Sequence, residues 1–177
     1  MCYCIHMKNT LKSAPIFTPK HIHADVLGAR VLGIKAETTD DMIYKIGQGF
    51  PVEVIENVAE KLFFTGEMST QFQVRKIHSP WGIGLKFAEL IGISSSTYQR
   101  RKLAQKLTPA ESEGVYRYAA LHEKTIEVFG NEEKARIWLN NPVKALGDCI
   151  PLEYARTEPG ARLVMQVLGR LEHGSYS

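Results

Sequence analysis

An all-α fold is what this sequence predicts, and three observations carry that prediction. Thr108-Pro109-Ala110-Glu111 is a capping box: the Thr108 hydroxyl accepts the N3 amide, Glu111 reaches back to the cap, and Pro109 sits at N1. Val54, Ile55, Val58, Ala59 and Leu62 recur at i, i+3, i+4 and i+7 spacing, which is one buried stripe of a helix. No segment shows the polar–apolar alternation of a half-buried strand.

The elements follow in order. Residues 1–37 read as an irregular N-terminal segment carrying Pro15 and Pro19, with Val26-Leu27 and Val31-Leu32 around Gly28 as short apolar pieces able to cover a core edge. Asp40 is read as the N-cap of a short helix through Ile46, broken by Gly47-Gln48-Gly49. Pro51 is placed at N1 of the helix that carries the Val54–Leu62 stripe. Gly66 to Gly84 is the least regular stretch and reads as an extended insertion or loop. The helix opened by Thr108 is expected to bury Val115, Tyr118, Ala119, Ile126 and Phe129, and to stop at Gly130. Asn131 caps a helix over Glu132–Leu139 that Pro142 ends, and Pro151 opens a short helical turn. Thr157-Glu158-Pro159 starts a last helix to about His173, with Leu163, Val164, Val167, Leu168 and Leu171 inward.

The net charge of +3 is unevenly spread. Between Arg75 and Lys106 seven basic residues face one acid, Glu89, for a local charge of +6; residues 1–74 carry −1 and residues 107–177 carry −2. A basic centre between acidic flanks suits an anionic partner, although a solvated basic helix would have the same composition. No apolar run approaches the roughly 20 residues that span a bilayer. No secretory signal pattern is present, so a cytoplasmic protein without membrane contact, nucleoid-associated when on DNA, is expected. Met7 is a second candidate start. Cys2, Cys4 and Cys149 form no disulfide framework, and Cys2-x-Cys4 with His6 lacks a second ligand pair, so no metal or cofactor is expected.

The basic centre contains a helix-turn-helix pattern. Ala88 is the small residue where two helices touch, Gly92 supplies a cheap positive φ at the turn, and Ile93 and Tyr98 pin the second helix. Ser94 or Ser95 caps that helix. It then presents Ser95, Ser96, Thr97, Gln99 and Arg100 outward, side chains of the types that read base edges. Arg101 and Lys102 are suited to phosphates. The plain alternative is an ordinary polar corner of a helical bundle.

Further residues bring in a resemblance. Glu132-Glu133-Lys134-Ala135-Arg136-Ile137-Trp138-Leu139, Pro142, Leu146-Gly147, Pro151-Leu152, Thr157, Gly160-Ala161, Val164, Leu168-Gly169-Arg170-Leu171-Glu172 and Gly174 resemble the toxin-binding domain of Xre/MbcA/ParS-type antitoxins. Upstream, Gly92-Ile93-Ser94, Thr97, Arg100-Arg101, Leu107-Thr108 and Glu111-Ser112 resemble the helix-turn-helix half of the same antitoxins, and Gly49-Phe50-Pro51 resembles the Gly-Leu-Pro before it. The stretch Gly66–Gly84 is longer than that family usually has there. The resemblance implies a DNA-binding region at 38–106 and a small helical toxin-binding domain at 107–177. It also implies a RES-domain toxin that consumes NAD⁺ or transfers ADP-ribose, repression of the pair's own promoter, and a homodimer. The family's C-terminal end covers the toxin's cleft, which corresponds here to about Arg170–Ser177. Trp138 and Leu139 read as core. Arg162, Gln166, Arg170 and His173 share one side of the last helix and, with Tyr176, are the candidate toxin contacts.

An enzyme is not expected. The six histidines are scattered, and there is no His-Glu-x-x-His, no Gly-x-Ser-x-Gly and no phosphate loop. Gly82-Ile83-Gly84 lacks the third glycine of a dinucleotide loop, and His21-Ile22-His23 has no carboxylate pair nearby. The competing reading is a stand-alone transcriptional regulator whose C-terminal half only dimerises.

Overall fold

The computed structural model describes residues 26–63 and 82–174, and every regular element among them is helical. In order these are α1 (Ala29–Leu32), α2 (Thr39–Gln48), α3 (Val54–Leu62), α4 (Ile83–Leu90), α5 (Ser95–Ala104), α6 (Pro109–Phe129), α7 (Glu132–Asn140), a 3₁₀ turn at Lys144–Leu146, α8 (Pro151–Tyr154) and α9 (Glu158–Glu172). Cys2, Cys4, His6, His21, His23 and most of the Gly66–Gly84 stretch lie outside the described residues.

The capping box forms as expected: the Glu111 amide donates to Thr108 Oγ1 at 3.3 Å, and the Thr108 amide donates to Glu111 Oε2 at 2.7 Å. Gly130 closes α6 with φ 67°. Between those caps α6 packs against α1, α2, α3, α7 and α9. Its positions Tyr118 to Glu123 are buried without interruption, so it has no solvent stripe there. A helix enclosed on all sides has to find internal partners for its polar side chains, and most of them here do. Tyr118 donates to the Leu152 carbonyl at 2.9 Å, Ser112 accepts the Phe50 amide at 2.8 Å, and Thr125 donates to the Leu121 carbonyl at 2.7 Å. The buried Glu123 carboxylate accepts the Gly28 amide and pairs with Arg30 at 2.7 Å.

The α3 stripe is buried in full, and Val164, Val167 and Leu168 of α9 join the core with Leu139, which is fully buried. Trp138 is half-buried and packs on Phe129 with ring centroids 5.8 Å apart.

Several boundaries and faces differ from the sequence reading. Thr38, not Asp40, caps α2: its hydroxyl accepts the Asp41 amide at 3.1 Å, which leaves Asp40 and Asp41 in the first turn, where the helix dipole favours them. The helix also runs through Gly47 to Gln48 and stops at Gly49. Pro51 is not at N1. Its carbonyl accepts the Val54 amide at 3.3 Å in a turn before α3. Within residues 26–37 the chain makes the one-turn α1, which buries Ala29, Val31 and Leu32 in the main core. Ile126, Phe129 and Leu171 are half-buried rather than fully buried, and Leu163 is 44% exposed, while Ala161 of α9 turns inward.

His122 is the unusual core residue. It is fully buried, and neither ring nitrogen has a hydrogen-bond partner among the described residues. Burial pushes its pKa down to about 4, with Arg136 and Lys61 lowering it further against the opposing charge of Glu132. The folded protein therefore binds fewer protons at this site than the unfolded chain, whose value is 6.5, so stability rises with pH between about 4 and 6.5. On acidification from pH 7 to pH 4 this one group should cost about 2–3 kcal/mol. Urea unfolding at both pH values should show that loss in the wild type and a loss smaller by that amount in His122→Leu. Parallel pH profiles for the two proteins would show that His122 is not the sensor.

Candidate functional site

Two surfaces carry the residues singled out by the sequence. The first is built on α4 and α5. Gly84, Leu85, Phe87, Ala88 and Leu90 face the core, and Phe87 meets Tyr118 of α6 edge to face, with centroids 5.4 Å apart. After α4 the chain turns through Gly92 at φ 85°, a left-handed conformation that costs a residue with a Cβ about 1–2 kcal/mol. The Ile93 amide bonds back to the Ala88 carbonyl at 2.8 Å, which fixes the turn against the small residue. Ser94 is the N-cap of α5. Its hydroxyl accepts the Thr97 amide at 3.3 Å and donates to Thr97 Oγ1 at 3.0 Å.

One buried side chain, Tyr98, pins α5. Its hydroxyl donates to Glu56 Oε1 at 2.6 Å, and burial together with that carboxylate pushes the phenol well above its ordinary pKa. Lys102 lies over the Tyr98 ring at 4.7 Å and pairs with Glu56 at 3.3 Å. Gly84 leaves the space that the Glu56 carboxylate fills; a Cβ there would stand 2.3 Å from both its oxygens. One residue before Lys102, Arg101 Nε bonds both oxygens of Glu111 at 2.8 and 3.0 Å. Burial opposes ionisation of Glu111, but the Thr108 amide and Arg101 outweigh it and hold its pKa below the ordinary value. The second helix is thus clamped to α3 and to the α6 cap.

The structure separates the seven candidate DNA contacts into two groups. Ser95, Ser96, Gln99 and Arg100 project into solvent, and among the described residues Ser95, Gln99 and Arg100 have no side-chain partner. Thr97 and Arg101 are half-buried and engaged with Ser94 and Glu111, while Lys102 is exposed but paired with Glu56. Glu56 is the residue that sequence reasoning missed. It lies 42 positions before Tyr98, and nothing local to either residue signals the pairing.

The second surface is the outer side of α9. Thr157 caps this helix by accepting the Gly160 amide at 3.2 Å, and Gly160 packs so closely on the Tyr154 carbonyl that a Cβ would lie 1.9 Å from it. That contact sets the angle of α9 against α8. Arg162, Gln166, Arg170 and His173 are all exposed. Gln166, Arg170 and His173 line one shallow depression with Gly169. Arg162 stands at the rim of a separate groove between α2, α6 and α9, and reaches Glu158 at 3.5 Å. Tyr176 lies outside the described residues. Among the described residues no group of His, Cys, Asp and Glu could hold a metal, and no helix is long and apolar enough to cross a membrane.

Two family models match the stretches of chain that contain these helices. The antitoxin Xre-like helix-turn-helix domain matches residues 86–120, and the Xre/MbcA/ParS C-terminal toxin-binding domain matches residues 124–174. An Antitoxin Xre from Yersinia enterocolitica is 31% identical over 153 residues, covering 84% of this chain and 89% of the relative. A second Antitoxin Xre, from Photorhabdus laumondii, is 27% identical over 165 residues, covering 92% of this chain and 99% of the relative. With a helix-turn-helix on α4 and α5 and a toxin-binding domain ending in α9, the chain belongs to the Xre antitoxin family.

Proposed function

We propose that this antitoxin neutralises a RES-domain toxin, an enzyme that consumes NAD⁺ or transfers ADP-ribose from it, and that it represses the promoter of the pair as a homodimer. The observation that carries the toxin half is the exposed Gln166–Arg170–His173 stripe, which lies inside the stretch matched by the toxin-binding domain and lines its own depression. These side chains are hydrogen-bond donors on a helix whose opposite face is locked into the core, so the surface is held ready before the partner arrives. The segment after His173 enters the toxin's cleft and blocks it, with Tyr176 as an aromatic and hydroxyl contact.

The DNA half rests on Ser95, Ser96, Gln99 and Arg100. Gln99 pairs with adenine and Arg100 with guanine in the major groove, while Lys102 and Arg101 supply positive charge along the phosphates. Because Arg101 and Lys102 are tied to Glu111 and Glu56, their first task is to hold α5 in place.

Two outcomes check these assignments. In the full-length protein, Arg170→Glu combined with Gln166→Glu should weaken toxin capture by tenfold or more without changing the unfolding midpoint, and removal of residues 175–177 should leave capture measurable while NAD⁺ consumption by the bound toxin returns. Full silencing by the truncated protein would move inhibition to the helix face. Arg100→Ala should cost about 1–3 kcal/mol at the operator and spare random DNA, whereas Lys102→Ala should weaken both and flatten the salt slope by about one unit. Gel-shift titrations across a salt series separate the two; equal losses on operator and random DNA for Arg100→Ala would make it a phosphate contact.

A further inference from the structure

From its place on α5, we infer that Leu103 reads a thymine methyl group in the operator, an inference that rests on the DNA reading of α5 proposed above. Leu103 is 88% exposed, more than any other large apolar side chain among the described residues. It stands seven residues after Ser96, four after Gln99 and three after Arg100, so at about 100° per residue it falls on the same outward stripe. With Tyr98 pointing into the core, that stripe is the side of α5 opposite its anchor. Leu103 lies about 6 Å further along the helix than Gln99, or roughly two base-pair steps along a groove.

The chemistry of the position narrows the partner. A leucine offers no donor, so it cannot hold a phosphate or a base nitrogen. What the major groove offers an apolar side chain is the C5-methyl of thymine. A protein partner would need a wider apolar patch. The other exposed large apolar side chains among the described residues, Ile43, Tyr44 and Leu163, stand on α2 and α9, whereas Leu103 directly follows Lys102 and stands three residues before Lys106, both exposed. A lone leucine among cations on a base-reading stripe fits nucleic acid.

The test uses the full-length protein and a duplex enriched from a random-sequence library by the wild type. Each thymine of that duplex is replaced in turn by deoxyuridine, which removes only the methyl group. One position on each half-site should bind the wild type about fourfold more weakly, the factor expected for one buried methyl group. Leu103→Ala should bind the thymine duplex at that lowered level and show no further loss with deoxyuridine at that position. Leu103→Met, which keeps an apolar reach, should retain most of the discrimination. The inference is overturned if the wild type distinguishes no thymine from deoxyuridine, or if Leu103→Ala keeps the same penalty. It is overturned equally if Leu103→Ala shifts the protein's oligomeric state in sedimentation and weakens all duplexes alike, which would make Leu103 a contact with a second copy. Enrichment of no sequence by the wild type would remove the DNA reading itself, and this inference with it.

Discussion

Enclosure of α6 is the constraint on which the other elements depend. A 21-residue helix is about 30 Å long, and here its middle is covered on every side. Such a helix cannot hide a polar atom cheaply: a buried group left without a partner costs about 1–3 kcal/mol. The partners it finds fix the positions of distant chain segments. Ser112 holds the Phe50 amide, Tyr118 holds the Leu152 carbonyl, and Glu123 holds the Gly28 amide and Arg30. Each bond joins α6 to a segment between 34 and 95 residues away in sequence, which is why one continuous core links residues that the family domains divide. The two matched stretches meet within α6, at residues 120 and 124.

The same economy explains how α5 is mounted. Exposed ion pairs are worth little, commonly under about 1 kcal/mol. The Lys102–Glu56 pair is of that kind, but two other contacts that hold this helix are not. The Tyr98 hydroxyl is delivered to Glu56 from a buried ring, and Arg101 presents its Nε to both oxygens of a carboxylate already engaged in the α6 cap. Charge that the composition assigns to DNA binding is therefore partly consumed inside the protein. Of the three cations in the Arg100–Lys102 run, Arg101 and Lys102 are engaged in ion pairs and Arg100 has none among the described residues, although the local excess of positive charge remains to attract an anionic partner.

Much of this was legible because caps are local. Thr108, Glu111, Gly130, Asn131, Thr157 and Gly92 act through backbone groups within a few residues, so their types reveal their roles. The α3 stripe was legible because five apolar residues in nine leave one possible face. Reading failed where the decision is made at a distance. Leu163 and Ala161 are both apolar on α9, and the packing of that helix on α6 and α8 leaves the smaller one inward. The Thr38 cap is a different case, because its contacts are local: Thr38 Oγ1 accepts the Asp41 amide while the Asp41 carboxylate accepts from the Glu37 amide and Lys45, a reciprocal pattern that reading Asp40 as the cap overlooked. The seven candidate contacts on α5 lie in one run of eight residues, yet their separation into outward and anchored groups required Glu56 and Glu111, neither of which is on that helix.

The two candidate surfaces also have a fixed relation to each other. Helix α5 meets α6 at Glu111, in its first turn. Helix α9 begins beside Arg117, which pairs with Glu158 at 3.4 Å, and ends beside Lys124, which pairs with Glu172 at 2.9 Å. Thirteen residue steps of unbroken helix lead from Glu111 to Lys124, a distance of about 20 Å. No proline or glycine after Gly114 interrupts that span, so it has no built-in kink. The depression lined by Gln166, Arg170 and His173 therefore sits toward the far end of α6 from the helix that carries Gln99 and Arg100. Because both helices are bolted to one buried rod, the orientation of one surface fixes that of the other.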